Sequence, residues 1–148
     1  MFEIDFRVIL ITNIFEWYDM KPLIIAIDFD GTLTMENTFP TIEEPRMWLI
    51  QKAIEWKSQG HKLILWTCRE DGDMGKFDNR LYVTDAVNWC ATHGLTFDAV
   101  NKNLIEVSHP NVKTSRKINA SVFIDDKAVA FDDANQNLTF SCNNIKYL

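Results

Sequence analysis

The chain has no apolar run long enough to cross a membrane. Its N-terminal patch Val8-Ile9-Leu10-Ile11 follows Glu3, Asp5 and Arg7 and falls well short of the roughly 18 to 20 residues a span requires. The same segment lacks the basic start, longer apolar stretch and small-residue cleavage site of a signal peptide. Cysteine is sparse. Cys68, Cys90 and Cys142 form neither a CxxC pair nor a disulfide framework, which implies a reducing, cytoplasmic setting. His61, His93 and His109 show no HxxxH or HExxH spacing, so a zinc site is not expected. Positive charge is short as well. Fifteen Lys and Arg against 21 Asp and Glu leave a net charge of −6, which argues against strong nonspecific attraction to nucleic acid or to an anionic membrane. A substrate bearing phosphate stays open, because one bound cation inverts the local field. Repeats, low-complexity tracts and long linkers are absent.

What is present is a chain of 148 residues, 47% hydrophobic and 24% charged, the size and balance of one globular domain. Met20-Lys21-Pro22 stands immediately before the first core strand. Residues 1–19 therefore read as an N-terminal extension, dispensable for chemistry, and residues 20–148 as the functional domain.

The most informative stretch is Leu23-Ile24-Ile25-Ala26-Ile27-Asp28-Phe29-Asp30-Gly31-Thr32-Leu33-Thr34. Five branched or small apolar residues read as a buried strand of a parallel sheet. Asp28 and Asp30 then fall at its carboxyl end, where open α/β sheets bind ligands. Strand alternation puts both on one face if the extended geometry persists. Two close carboxylates repel, and a hard cation between them relieves the repulsion.

Downstream, a helix is expected from about Glu43 to Gln59, with Pro45 in its first turn, Met47, Ile50, Ala53 and Ile54 inward, and Gly60 at its end. Trp48 and Trp56 widen that stripe as core residues. His61–Thr67 reads as the second strand, followed by a polar loop, Arg69 to Asn79. A second helix spans about Arg80 to His93, with Leu81, Val83, Thr84, Val87, Cys90 and Ala91 inward, and Gly94 stops it. Phe97–Val100 and Ala120–Ile124 read as the third and fourth strands, and Leu138–Phe140 as a final one. Phe29 and Leu33 read as core, Cys68 as packing, and Asn101 and Asn103 as turn residues. Arg69 is either a substrate contact or a solvated loop residue. Strands alternating with helices predict an α/β fold, a Rossmann-like three-layer α/β/α sandwich with a mostly parallel central sheet.

Three predicted strands end in polar residues: Asp28 and Asp30, Thr67, and Asp125 with Asp126. With nearby Lys113, Arg116 and Lys117 they make a set suited to an oxygen-liganded cation, Mg²⁺ above all.

These residues resemble the motifs of the haloacid dehalogenase-like (HAD) phosphohydrolase superfamily. Asp28-Phe29-Asp30-Gly31-Thr32 is similar to its DxDGT motif, and Leu63-Ile64-Leu65-Trp66-Thr67 to its apolar strand ending in Thr or Ser. Lys117 falls where the third-motif lysine is expected, with Lys113 as rival. Val122-Phe123-Ile124-Asp125-Asp126 is similar to the apolar strand ending in an acidic pair. All four occur in the family's order. The resemblance implies a Mg²⁺-dependent phosphomonoesterase, with Asp28 as nucleophile and Asp30 as general acid and base. It implies that Thr67 and Lys117 hold the phosphoryl group. Mg²⁺ would sit on the Asp28 carboxylate, the Asp30 carbonyl and Asp126, supported by Asp125. Neither Gly31–Glu43 nor Cys68–Arg116 has room for a folded cap, so the chain resembles the capless class, open to a phosphorylated small molecule or macromolecule. The Glu70–Asn79 loop, with Gly72 and Gly75, is a candidate flap.

Rival readings are a dehalogenase, which has no use for the acid Asp30, and a phosphoacceptor receiver domain, whose acidic pair comes early in the chain. A binding protein that keeps the geometry without the activity is the remaining alternative.

Overall fold

The computed structural model describes residues 21–72, 79–105 and 117–140. The expectations about residues 1–19, Lys113, Arg116, His109, Cys142 and the middle of the Glu70–Asn79 loop lie outside the described residues.

The core is a four-stranded parallel sheet: β1 (Ile24–Ile27), β2 (Lys62–Leu65), β3 (Ala99–Val100) and β4 (Val122–Ile124), in the order β3-β2-β1-β4. This is the α/β class expected from the alternating pattern. Two helices join the strands, α1 (Met47–Ser58) and α2 (Tyr82–Thr92). An antiparallel hairpin follows, β5 (Val129–Asp132) and β6 (Asn137–Phe140).

The two-residue period of the strands divides the core. Ile25, Ile27, Leu63 and Leu65 pack in one cluster with Leu49, Ile50 and Ala53 of α1 and Ala86 and Cys90 of α2. Ala26, Ile64 and Ala99 of the intervening positions pack in a second cluster with Leu104 and Ile118. Burying both sheet faces explains why the strands read as continuous apolar runs.

Both helices begin later than their composition suggests. Pro45 pairs with Thr34 in an isolated antiparallel bridge, and the Arg46 amide donates to Leu33 O at 2.8 Å. These bonds, with that from the Met35 amide to Glu44 O, hold residues 44–46 against the chain after β1, so α1 starts at Met47. Its inward residues are Leu49, Ile50, Ala53 and Trp56, while Met47 is exposed and Trp48 and Ile54 lie at the margin. Leu81 and Ala91 of the second predicted helix are exposed too. Leu81 instead bridges to Asp71, and the Asp71 carboxylate accepts from the Val83 and Thr84 amides, capping α2 from a distant part of the chain. Gly60 (φ 94°) and Gly94 (φ 82°) end the helices in the left-handed region, as expected.

Among the described residues, no helix is long and apolar enough to cross a membrane.

Candidate functional site

Register brings the candidate residues together. Ile27 pairs with Leu65 on one side and Ile124 on the other, so β1, β2 and β4 end level. The ladder continues one step further. The Asp28 amide donates to Ile124 O, and the Trp66 amide to Ile27 O, both at 2.9 Å. Asp28, Thr67 and Asp125 therefore emerge side by side at the carboxyl edge.

A cavity of about 420 Å³ opens there, lined by Asp28, Asp30, Asn37, Phe39, Thr67, Cys68, Arg69, Asp125, Asp126 and Lys127. Five of the six residues singled out from the sequence line it. Lys117, the sixth, is exposed and is not among the lining residues; Lys127 is. Cys68 is exposed in the cavity wall, contrary to the packing role expected for it. Cys90 is buried as expected, which pushes its thiol up to about 12.

Carboxylate oxygens of Asp28, Asp125 and Asp126 lie within 4.8 Å of one another, a spacing that could hold a metal ion. Burial first, and then the negative charges of Asp125 and Asp126, push the Asp28 carboxyl up to about 7. Hydrogen bonds from the Phe29 backbone and the Thr32 hydroxyl act in the opposite direction. Lys127 Nζ donates to Asp126 Oδ2 at 2.9 Å and is held above the usual lysine range by that bond and charge.

Turn Phe29–Leu33 carries the approach of the two halves of the site. Gly31 has φ 76°, and a Cβ there would lie 3.0 Å from Asp126 Oδ2. Glycine is thus required both by the backbone and by the neighbouring carboxylate. Thr32 is fully buried. Its hydroxyl donates to Asp28 Oδ2 at 3.2 Å and accepts from the Asp126 amide at 3.1 Å, linking the ends of β1 and β4.

Arg69 and Asn101 were only partly readable beforehand. Arg69 is 2% exposed and grips Asp30 through a bidentate pair, Nε to Oδ2 at 2.8 Å and Nη2 to Oδ1 at 2.7 Å. It is neither a solvated loop residue nor one with a free guanidinium. Asn101 does occupy a left-handed position (φ 51°), as a turn residue can. Its side chain also accepts from the Thr67 amide and donates to Arg69 O, fixing the end of β2. The Thr67 hydroxyl oxygen accepts from the Arg69 amide at 3.1 Å, which leaves its proton to donate elsewhere.

Taken as a class, this is a parallel α/β protein that concentrates acidic side chains where the neighbouring strands β1 and β4 end. A solved structure, described as that of a conserved protein from Bacteroides thetaiotaomicron, is 36% identical in sequence, covers 72% of this chain and 78% of its own, and has a TM-score of 0.58. The chain belongs to the same family as that protein. No protein-family model matches the chain, and no curated protein matches it.

Proposed function

We propose that the chain is a capless, HAD-like phosphomonoester hydrolase, Mg²⁺-dependent and cytoplasmic, with the Rossmann-like three-layer arrangement of that superfamily. The observation that carries the reading is the meeting of Asp28, Asp125 and Asp126 within 4.8 Å, in a cavity that also holds Asp30 and Thr67.

The donor set fits a hard divalent cation. Three carboxylates crowd together, and the Asp28 carboxyl is raised by burial first and by the charges of Asp125 and Asp126 after it, both of which a bound cation would offset. Asp28 and Asp126 would hold Mg²⁺ with the Asp30 carbonyl, and Asp125 is close enough to ligate directly or through water. When bound, Mg²⁺ screens the Asp28 oxygen from the incoming dianion and neutralises charge on the transferring oxygens.

The side chains divide the remaining work. An Asp28 oxygen attacks phosphorus as the bond to the leaving oxygen breaks, giving an aspartyl-phosphate. Asp30 gives its proton to the leaving oxygen, then takes one from the water that hydrolyses the intermediate. Thr67 donates its hydroxyl proton to a phosphate oxygen. Lys117 keeps the third-motif role by resemblance, while Lys127 is the lysine already in the cavity wall. Alanine at each of Lys113, Lys117 and Lys127 ranks them; the largest loss identifies the phosphate-binding cation.

Asp28→Asn tests the nucleophile. It should lower turnover of p-nitrophenyl phosphate by roughly three orders of magnitude or more while the circular dichroism spectrum stays native. Chelation of divalent ions should do the same, reversibly. Retained turnover in the variant removes Asp28 from the reaction.

A further inference from the structure

Arg69 is the charged group of the cavity that the reaction above leaves without a task. Its side chain is 1% exposed, although it forms part of the wall. Besides the two bonds to Asp30, Nη1 donates to Pro40 O at 3.2 Å and Nη2 to Thr41 O at 2.9 Å. The guanidinium carbon lies 5.0 Å from the Phe29 ring centroid and 5.1 Å from that of Phe39. A guanidinium has five N–H donors, and four are committed here. It is poorly placed to bind a phosphate, and well placed to hold something that does chemistry.

We propose that Arg69 is a positioning residue that acts through Asp30, a role that rests on the hydrolase reading above. A carboxyl group has about four lone-pair sites. The guanidinium fork takes one on each Asp30 oxygen, which fixes the plane of the group and leaves the outer sites for the proton passed to the leaving oxygen. The bonds to Pro40 and Thr41 tie the loop next to Phe39, a lining residue of the cavity, to the same guanidinium, so Phe39 and Asp30 are set by one side chain. An acid misplaced by about 1 Å loses on the order of a hundredfold in rate, so a fixed plane matters.

A pair of esters separates this role from a structural one. The value of kcat/KM reports events up to aspartyl-phosphate formation, the step in which Asp30 supplies a proton. Nitrophenolate departs readily without a proton; phenolate does not. Arg69→Ala should lower kcat/KM for phenyl phosphate roughly 100-fold and for p-nitrophenyl phosphate by no more than about fivefold. Free guanidinium ion should restore part of the phenyl phosphate rate. Arg69→Lys keeps the charge but not the fork, and should show the same ordering of the two esters with smaller losses. It carries the comparison if the alanine variant does not fold. Equal losses on both esters, or none, overturn the proposal.

Amide hydrogen exchange supplies a readout independent of turnover. Arg69→Ala should speed exchange at Thr41, whose N–H donates to Thr38 O within the loop Arg69 holds, and spare Trp66, whose N–H belongs to the sheet. If the wild type hydrolyses neither ester with Mg²⁺, the hydrolase reading falls. The exchange result then decides alone whether Arg69 braces the cavity, and unchanged exchange removes the brace.

Discussion

Asp28 is the residue on which stability and chemistry pull in opposite directions. Burial, together with the charges of Asp125 and Asp126, raises its carboxyl from 3.8 to about 7. The folded protein therefore binds a proton there that the unfolded chain has lost between about pH 4 and pH 7. The sign follows. The contribution is fully present below about pH 4 and is lost as pH rises through about 7, on the order of a few kcal/mol. In metal-free buffer, denaturant midpoints of the wild type should fall between pH 5 and pH 8. Asp28→Asn should lack that part of the fall and exceed the wild type at pH 8; parallel curves for the two proteins would refute the assignment. Added Mg²⁺ should raise the wild-type midpoint at pH 8 more than that of the variant. Asp28, Asp30, Thr67, Asp125 and Asp126 were all legible in the sequence, because each closes an apolar strand. Arg69 was not. A sequence displays a charge but not the partner it meets 39 positions earlier. Thr32 was visible as a letter of a motif, while its bridging bond to Asp126 spans 94 positions.

Elements show the same division between local pattern and distant contact. The four parallel strands were readable as apolar runs because both sheet faces carry core clusters, while their level ends come from the pairing register, which no single run displays. The start of α1 was misplaced because a bridge from Thr34 to Pro45 outweighs the helix-favouring start at Glu43. Strand β5, four residues with a weak apolar pattern, gave little signal on its own. Yet the β5–β6 hairpin matters to the site. Asp133, in the hairpin turn, accepts from Arg46 Nε and Trp48 Nε1, each at 2.8 Å. Burial pushes the Asp133 carboxyl up, but those hydrogen bonds hold it below the usual carboxylate range. Arg46 in turn donates to the carbonyls of Gly31, Thr32, Thr34 and Met35, and its guanidinium carbon lies 4.2 Å from the Phe131 ring centroid. The hairpin thus grips the turn that carries Asp30. Asp133→Ala should cost roughly 1 to 2 kcal/mol, since its side chain is 37% exposed. Arg46→Ala should cost more, roughly 3 kcal/mol or above, because it also orphans buried carbonyls. A double-mutant cycle read by urea denaturation should show coupling; additive losses would mean that hairpin and turn are held separately.

For the molecule as a whole, charge would decide which esters the proposed hydrolase accepts. The protein carries −6, and the cavity repeats that bias with four carboxylates against Arg69 and Lys127. Both cations are already paired, Arg69 with Asp30 and Lys127 with Asp126. On the proposed reading, one divalent ion would bring the wall near neutrality, enough for a single phosphoryl group but not for a second anion beside it. Of the residues lining the mouth, Phe39 is 52% exposed and tilts against Tyr82 with centroids 5.0 Å apart, offering an aromatic rather than a basic surface to a leaving group. With Mg²⁺ present, kcat/KM for phenyl phosphate should exceed that for a small sugar bisphosphate by roughly tenfold or more. The gap should narrow as salt rises from 0.05 to about 0.5 M, because screening shortens the reach of the surrounding carboxylates. A bisphosphate turned over as well as the aryl ester, at low salt, would mean that cations outside the cavity wall dominate the field. The lysines at 113 and 117 would then be the first to replace.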